Sequence, residues 1–394
     1  MRSLQPIIYI LLFATFLAKF SLFLALPFLS IYLMQEFKYS GIEIGMILSV
    51  AGVVSIVMSM FAGSIIDRFN KRQIIYIGLI ITIISYLSFP FINSFFGFVM
   101  FSIVSTIGAS FVDPTYRVLI TMFTPQHKKK LVFNVRYYLI NIAAALGPLT
   151  AGQIIFIGME NLFYIVSFCF MINLLMFVYV FNKFEFDIST PVSAEKVPFF
   201  NALYIFKKNR AFLYLVLGNI FIVFGYNQMS STLTQYMGHL YPYEMAAKYY
   251  SYLLLVNAVT VLGGQYFIYQ IGRKIPTSSA MVIGSVLLPL GLWVFGFSES
   301  FVVIGIGMFI FTIGEMLLFT MWDIRIDEIS EPHLKGSYYS LTGLTGISRI
   351  IAPLAGGFLL DTTANGFMIF SILAGVSVIG VYCFIVSSRL TRKA

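Results

Sequence analysis

Twelve long apolar stretches, separated by short polar links, run from one end of this chain to the other. They cover 7–34, 42–66, 73–93, 97–122, 131–157, 161–181, 211–237, 246–270, 277–297, 301–324, 337–360 and 366–387. Each has the roughly 20 residues that an α-helix needs to cross about 30 Å of hydrocarbon. A soluble globule has no room for them: soluble chains carry about 25% charged residues, whereas here 10% are charged and 59% are hydrophobic. Inside lipid every backbone N–H and C=O must be paired within the protein, which leaves helices or closed barrels. Stretches of this length are helical. The expected fold is an all-α membrane protein with 12 transmembrane helices.

The net charge of +9 is confined mainly to one set of links. These hold Arg68, Lys71 and Arg72, then Lys128 to Lys130, Lys183 to Arg210, Arg273 and Lys274, and Arg325 and Lys335, with Arg2, Arg389, Arg392 and Lys393 near the termini. The opposite links hold only Lys38 and Lys248. Positive residues favour the cytoplasmic side, so both termini are expected there. The basic balance therefore reads as membrane orientation and not as nucleic-acid binding. The first apolar stretch is too long for a cleaved signal. Cys169 and Cys383 lie inside apolar stretches without metal or disulfide spacing, and His127, His239 and His333 are expected in loops.

The longest polar stretch, 182–210, divides the chain into a six-span half at 1–181 and another at 211–394, with an interfacial helix expected near Phe199 to Phe206. Each half has a small-residue, proline-centred landmark in its fifth span: Gly147-Pro148-Leu149-Thr150-Ala151-Gly152 and Ala352-Pro353-Leu354-Ala355-Gly356-Gly357. Lys71-Arg72 is likewise echoed by Arg273-Lys274. Parallel repeats of this kind place a binding site where they meet, near the bilayer midplane.

Between the second and third spans the chain reads Gly63-Ser64-Ile65-Ile66-Asp67-Arg68-Phe69-Asn70-Lys71-Arg72. This resembles the G-x-x-x-D-R-x-G-R-K signature of the major facilitator superfamily, and it falls at the signature's place in the topology. The Gly147–Gly152 segment, with Gly147, Pro148 and Gly152, is similar to the G-P-x-x-G-G motif of the antiporter branch. Phe111-Val112-Asp113-Pro114, Thr312-Ile313-Gly314-Glu315, Gly336-Ser337-Tyr338 and the run from Leu26-Pro27 to Asp67-Arg68 look like the proton-coupled multidrug exporters of the MdtH and LmrP type. The resemblance implies the major facilitator fold, two pseudo-symmetric six-helix halves, and a cytoplasmic gate at Gly63, Asp67, Arg68, Lys71 and Arg72. There are two departures. Asn70 stands where the signature has Gly, and a tolerated left-handed turn is expected there. Val104 stands where many drug antiporters carry an arginine.

Ionisable side chains at membrane depth are costly and point to function. Glu315 lies ~14 residues into the tenth span, ~20 Å along it, with Thr312, Phe319 and Trp322 on its face. Glu315 and Asp113 are the expected proton carriers. Asp113 and Arg117 sit one turn apart and are spaced to pair. Lys19, deep in the first span, has Asp113 or Glu315 as its natural partner. Arg349 carries Thr345 and Thr342 at i−4 and i−7, a polar stripe expected to face water, while Arg136 lies nearer the cytoplasmic end, placed to snorkel or to serve the gate. Lys19, Arg349, Arg136, Asn141, Tyr137, Tyr138, Tyr226, Asn227, Gln228 and Trp322 are the candidate cavity residues. For the neutral polar ones, glue between helices is the commoner role.

No G-x-x-x-x-G-K-[ST], H-E-x-x-H or G-x-S-x-G pattern occurs, which argues against ATP use and hydrolytic chemistry. The expected activity is secondary transport by alternating access in a bacterial plasma membrane. Its energy is the proton gradient, with no cofactor and no metal, and its partners are a small-molecule substrate and the lipid bilayer, without nucleic acid and with a monomer as the working unit. The family resemblance favours proton-coupled export of lipophilic drugs. The positive charge of Lys19, Arg136 and Arg349 favours an anionic or zwitterionic metabolite, chelator or lipid.

Overall fold

The computed structural model describes residues 5–183, 204–331, 334, 338–339, 341–363 and 365–393. Among these, twelve helical segments are long and apolar enough to cross a membrane. Spans 1 to 6 are Pro6–Glu36, Gly41–Arg68, Lys71–Phe91, Phe95–Phe123, Gln126–Ile157 and Met159–Lys183. Spans 7 to 12 are Arg210–Leu240, Tyr243–Lys274, Thr277–Val294, Phe301–Ile329, Thr342–Thr362 and Gly366–Lys393. Both cysteines are buried and free. In the connector, Tyr204–Lys208 is helical, and Phe199 and the rest of the expected interfacial helix up to residue 203 lie outside the described residues.

Polar side chains define where spans begin. The Ser94 hydroxyl accepts the Gly97 N–H at the start of span 4, and Asn209 Oδ1 accepts the Phe212 N–H at the start of span 7; each supplies an acceptor to a first-turn donor that has none inside the helix. Asn70 does the same for span 3. Its φ is −63°, and its Oδ1 accepts the Arg72 N–H at 2.9 Å. The expected left-handed turn is therefore absent: Asn70 is an extended N-cap residue whose side chain supplies the acceptor. Among the described non-glycine residues only Lys38 has positive φ.

Several spans are not continuous α-helix. Span 1 tightens into a 3-10 turn at Leu26–Phe28 around Pro27. Span 7 breaks between the helices Arg210–Asn227 and Thr232–Leu240; His239 is in the last turn of the second piece and not in a loop. Span 11 opens as a 3-10 helix over Thr342–Ile347 before the α-helix Ser348–Thr362.

By packing, the described chain forms two compact units. The first comprises Met1–Tyr32, Val53–Ala194 and Tyr243–Ala258; the second comprises Leu33–Gly52, Glu195–Pro242 and Val259–Ala394. Unit 1 is held by an aromatic cluster between spans 3, 4 and 6, with Phe89 stacked on Phe163 and Tyr86 stacked on Phe170 and edge-on to Phe101. Offset and edge-on pairs each add about 0.5–1.5 kcal/mol beyond burial. In unit 2, spans 9 and 10 approach at Gly284, where a Cβ would come within 2.9 Å of the Gly314 carbonyl. Small residues let backbones meet where lipid supplies no hydrophobic drive.

Candidate functional site

In unit 1, three cationic side chains from three spans meet around one carboxylate. Asp113 lies on span 4 just before Pro114, and Arg117 is one turn on. The Arg117 Nε and Nη2 donate to Asp113 Oδ2 at 2.9 and 2.8 Å. On the other oxygen, Oδ1, Lys19 Nζ from span 1 lies at 3.3 Å and Arg136 Nη2 from span 5 donates at 2.8 Å. The cluster holds three cations and one anion. It is graded in exposure: the Arg136 side chain is 8% exposed and that of Arg117 is 58%.

The cluster is not closed electrostatically. Isolated charge in low dielectric is expensive unless paired and fully hydrogen-bonded. Two positive charges remain uncompensated within it. Among the described residues the buried Arg136 Nε has no hydrogen-bond partner, and neither does the Tyr116 hydroxyl one turn from Asp113. A buried donor without an acceptor costs about 1–3 kcal/mol, and the excess of cations over the Asp113 carboxylate leaves the cluster net positive. Pro114 adds to the local polarity, since its missing N–H leaves the Ser110 carbonyl without its helical donor. The expected Lys19–Asp113 and Asp113–Arg117 contacts are both present. Arg136, a candidate for the cavity, for snorkelling or for the gate, makes a contact with Asp113 that the sequence did not indicate.

Other predicted positions in unit 1 are placed as follows. Tyr137 and Tyr138 are exposed and edge-on to each other at 6.2 Å. The Asn141 amide donates to the Tyr137 carbonyl on its own helix at 2.9 Å. A Cβ on Gly147 would lie 2.8 Å from that of Phe23, and one on Gly152 2.8 Å from that of Ser251, so the antiporter-like segment brings span 5 close to spans 1 and 8. Of the gate residues, Gly63, Asp67 and Arg68 lie on the last turns of span 2 with side chains outside the described residues. Lys71 is buried. Arg72 donates to Asn182 Oδ1 at 2.7 Å, to the Phe181 carbonyl at 3.4 Å and to the Tyr76 hydroxyl at 3.2 Å, which fastens span 3 to the end of span 6.

In unit 2, Glu315 is half-buried on span 10 and Trp322 lies two turns on. Thr312 is fully buried, with its hydroxyl bonded to the Met308 carbonyl. Tyr226, at the end of the first piece of span 7, stacks on Phe311 and meets Phe319 edge-on at 5.0 Å. Asn227 ends that helix and its carbonyl accepts from Ser230 and Ser231. Gln228 is fully buried; its Nε2 donates to the Ala352 carbonyl at 3.3 Å and its Oε1 accepts from Thr232. Arg349 is exposed, and no ion pair holds it among the described residues. The polar stripe expected behind it is not α-helical. Thr342 and Thr345 lie in the 3-10 turn, three residues per turn, and Thr345 bonds to the Thr342 carbonyl. The sequence reading missed Asp361 and Gln35. The Ser40-Gly41-Ile42-Glu43 capping pattern was the available signal for that region.

A helical bundle of twelve spans with ionised side chains at membrane depth is the architecture of a membrane transporter. The model of the Major Facilitator Superfamily matches residues 11–346, and the chain belongs to that superfamily; it is a transporter and not an enzyme. It is 26% identical over 382 residues to the uncharacterized MFS-type transporter YqjV of Bacillus subtilis, covering 96% of this chain and 93% of the relative. It is 23% identical over 369 residues to a Na(+), Li(+), K(+)/H(+) antiporter of Planococcus maritimus, covering 86% of each. It is 28% identical to the quinolone resistance protein NorA of Staphylococcus aureus over 145 residues, 37% of each chain. Among solved structures, the nucleoside transporter NupG superposes with a TM-score of 0.82 at 14% identity, covering 97% of this chain and 99% of that one. The all-α major facilitator fold is thereby established.

Proposed function

We propose that this protein is a proton-coupled secondary transporter that moves a small organic solute across the bacterial plasma membrane by alternating access. Both termini are cytoplasmic in this reading, on the strength of the basic links. Its working parts are the two six-helix halves, 1–181 and 211–394, with the gate motif around Asp67 between spans 2 and 3. Glu315 and Asp113 carry the coupled proton. The likeness to the Planococcus maritimus antiporter supports coupling to protons.

The cargo the geometry favours carries an acidic group: an anionic or zwitterionic metabolite, chelator or lipid. One observation carries this reading, the gathering of Lys19, Arg117 and Arg136 around the single carboxylate of Asp113. Cationic cargo would meet repulsion there, whereas a carboxylate or phosphate would meet the partly exposed cations Arg117 and Lys19 with charge-assisted hydrogen bonds. A second reading, export of lipophilic drugs, is favoured by the likeness to NorA and by the exposed pair Tyr137 and Tyr138.

Transport by purified protein in proteoliposomes under an imposed proton gradient tests both. The panel holds cationic dyes and carboxylated or zwitterionic solutes, against native protein, Glu315→Gln and Lys19→Gln. Flux of an acidic solute that Lys19→Gln abolishes supports the first reading. Dye flux indifferent to Lys19→Gln overturns it in favour of the second. Flux of every solute independent of the gradient sinks proton coupling itself.

A further inference from the structure

Span 2 starts with a reciprocal cap. The Ser40 N–H donates to Glu43 Oε2 at 2.8 Å and the Glu43 N–H donates to Ser40 Oγ at 3.3 Å. This leaves the N–H groups of Gly41 and Ile42 as the remaining donors at the positive end of a 28-residue helix. Both are taken by one carboxylate from the other sequence half. Gly41 donates to Asp361 Oδ1 at 2.6 Å and Ile42 donates to Asp361 Oδ2 at 2.8 Å. Asp361 sits in the last turn of span 11, and no ion pair holds it among the described residues.

The two helices run antiparallel from that point, matched turn by turn. A Cβ on Gly41 would come within 2.6 Å of the Gly357 carbonyl, one on Gly45 within 2.6 Å of the Pro353 carbonyl, and one on Gly52 within 2.9 Å of the Arg349 carbonyl. Between them the Ser49 hydroxyl donates to the Ile350 carbonyl at 2.6 Å. Next to this zipper, Gln35 Nε2 donates to the carbonyls of Gly238 and Tyr241 at 2.6 and 2.9 Å. A segment of the first half, 35–52, is thus fastened to the ends of spans 7 and 11, on the side opposite the basic links.

We infer that Asp361 is a latch: its carboxylate on the Gly41 and Ile42 amides holds span 2 to span 11 on the non-cytoplasmic side and is released each time that side opens. The construction suits release. The Asp361 carboxylate is exposed and one of its two bonds lies at the surface, within reach of water, and a contact of glycine on backbone separates without pulling interlocked side chains from sockets. The charge on Asp361 meets the helix dipole and has His239 as the titratable group near it, with no ion pair among the described residues, so neutralising it weakens the contact without breaking a salt bridge.

The inference rests on the alternating-access reading, and its test uses no cargo. Spin labels at Glu36→Cys and Thr362→Cys, both exposed positions, report the separation of the two ends by double electron–electron resonance. Native protein is expected to show a dominant short distance. Asp361→Asn, of nearly equal shape, is expected to raise the long-distance population at least twofold, and Gly41→Ala, which drives a methyl into the Gly357 carbonyl, is expected to do the same. Asp361→Glu should restore most of the short population. Unchanged distances in folded, monodisperse Asp361→Asn and Gly41→Ala proteins would overturn the latch. A shift of distance with no transport of any solute leaves the latch standing and removes the proton-coupled reading. Gradient-driven transport with unchanged distances does the reverse.

Discussion

Arg136 and Asp113, on spans 5 and 4, are joined by a 2.8 Å hydrogen bond in which the Arg136 guanidinium is nearly buried and keeps one donor, Nε, without a partner among the described residues. This pair divides the labour in its cluster. Arg117 meets the same carboxylate from an exposed position and is the replaceable member.

Removing Asp113 is expected to hurt more than removing any one of its cations. Asp113→Ala leaves three like charges together. Breaking a fully buried pair costs about 3–5 kcal/mol, reduced here because the Asp113 side chain is 22% exposed. Arg136→Ala should rank next and Arg117→Ala last, at about 0–1 kcal/mol as for exposed pairs. Thermal unfolding in detergent gives the order. Equal losses for Arg117→Ala and Arg136→Ala would contradict it.

Glu315→Gln is expected to abolish flux driven by a pH gradient while sparing exchange of labelled for unlabelled cargo at equal pH, since it removes the proton site and keeps the shape. The comparison needs one proteoliposome preparation and both assays. Loss of both activities together would make Glu315 structural.

Asn70→Ala should destabilise span 3 by about 0.5–2 kcal/mol, the usual loss of a cap, and Asn70→Gly by only a few tenths. A gain of stability from Asn70→Gly would instead indicate a left-handed backbone that Asn70 tolerates poorly. Hydrogen exchange of the Arg72 amide, whose N–H the cap accepts, reads this locally.

Arg72→Lys is expected to fail as a substitute for Arg72. The guanidinium serves Asn182, Phe181 and Tyr76 at once and lies over the Tyr76 and Phe181 rings at 5.5 and 6.0 Å, whereas an ammonium offers neither the fork nor the flat face. Faster proteolysis after Lys183 in both Arg72→Lys and Arg72→Ala is the expected sign. Native-like resistance of Arg72→Lys would show that charge alone suffices.

The twelve spans were legible because lipid imposes one rule on every residue of a crossing helix, and that rule needs only local sequence. Lys19–Asp113 and Asp113–Arg117 were legible because charge at depth must find opposite charge. Arg136–Asp113 was not. Depth along a span is readable, but the direction a side chain faces depends on how span 5 packs on span 1 through Gly147 and Phe23. The misread stripe behind Arg349 has a similar origin. It assumed 3.6 residues per turn over Thr342–Ile347, and the 3-10 winding there depends on contacts that local propensity does not encode. Asp361 was invisible for a simpler reason. A carboxylate at a helix end looks like surface until its partner is found to be a pair of backbone amides over 300 positions away.

The break in span 7 also has a mechanical meaning. Below it, the piece Arg210–Asn227 is pinned by Ser348 and Ser387, whose hydroxyls donate to the Ile220 and Ala211 carbonyls. Above it, Gly238 and the adjoining Tyr241 hold Gln35 of the first half. An unbroken rod of that length, roughly 45 Å at 1.5 Å per residue, would carry every tug at its upper end to its anchored foot. The turn at Gln228–Ser231 removes that rigid lever: the lower piece is seated by Ser348 and Ser387, the turn by the Gln228 bond to the Ala352 carbonyl, and the upper piece by Tyr236 edge-on to Phe370, so each length of span 7 has its own anchor.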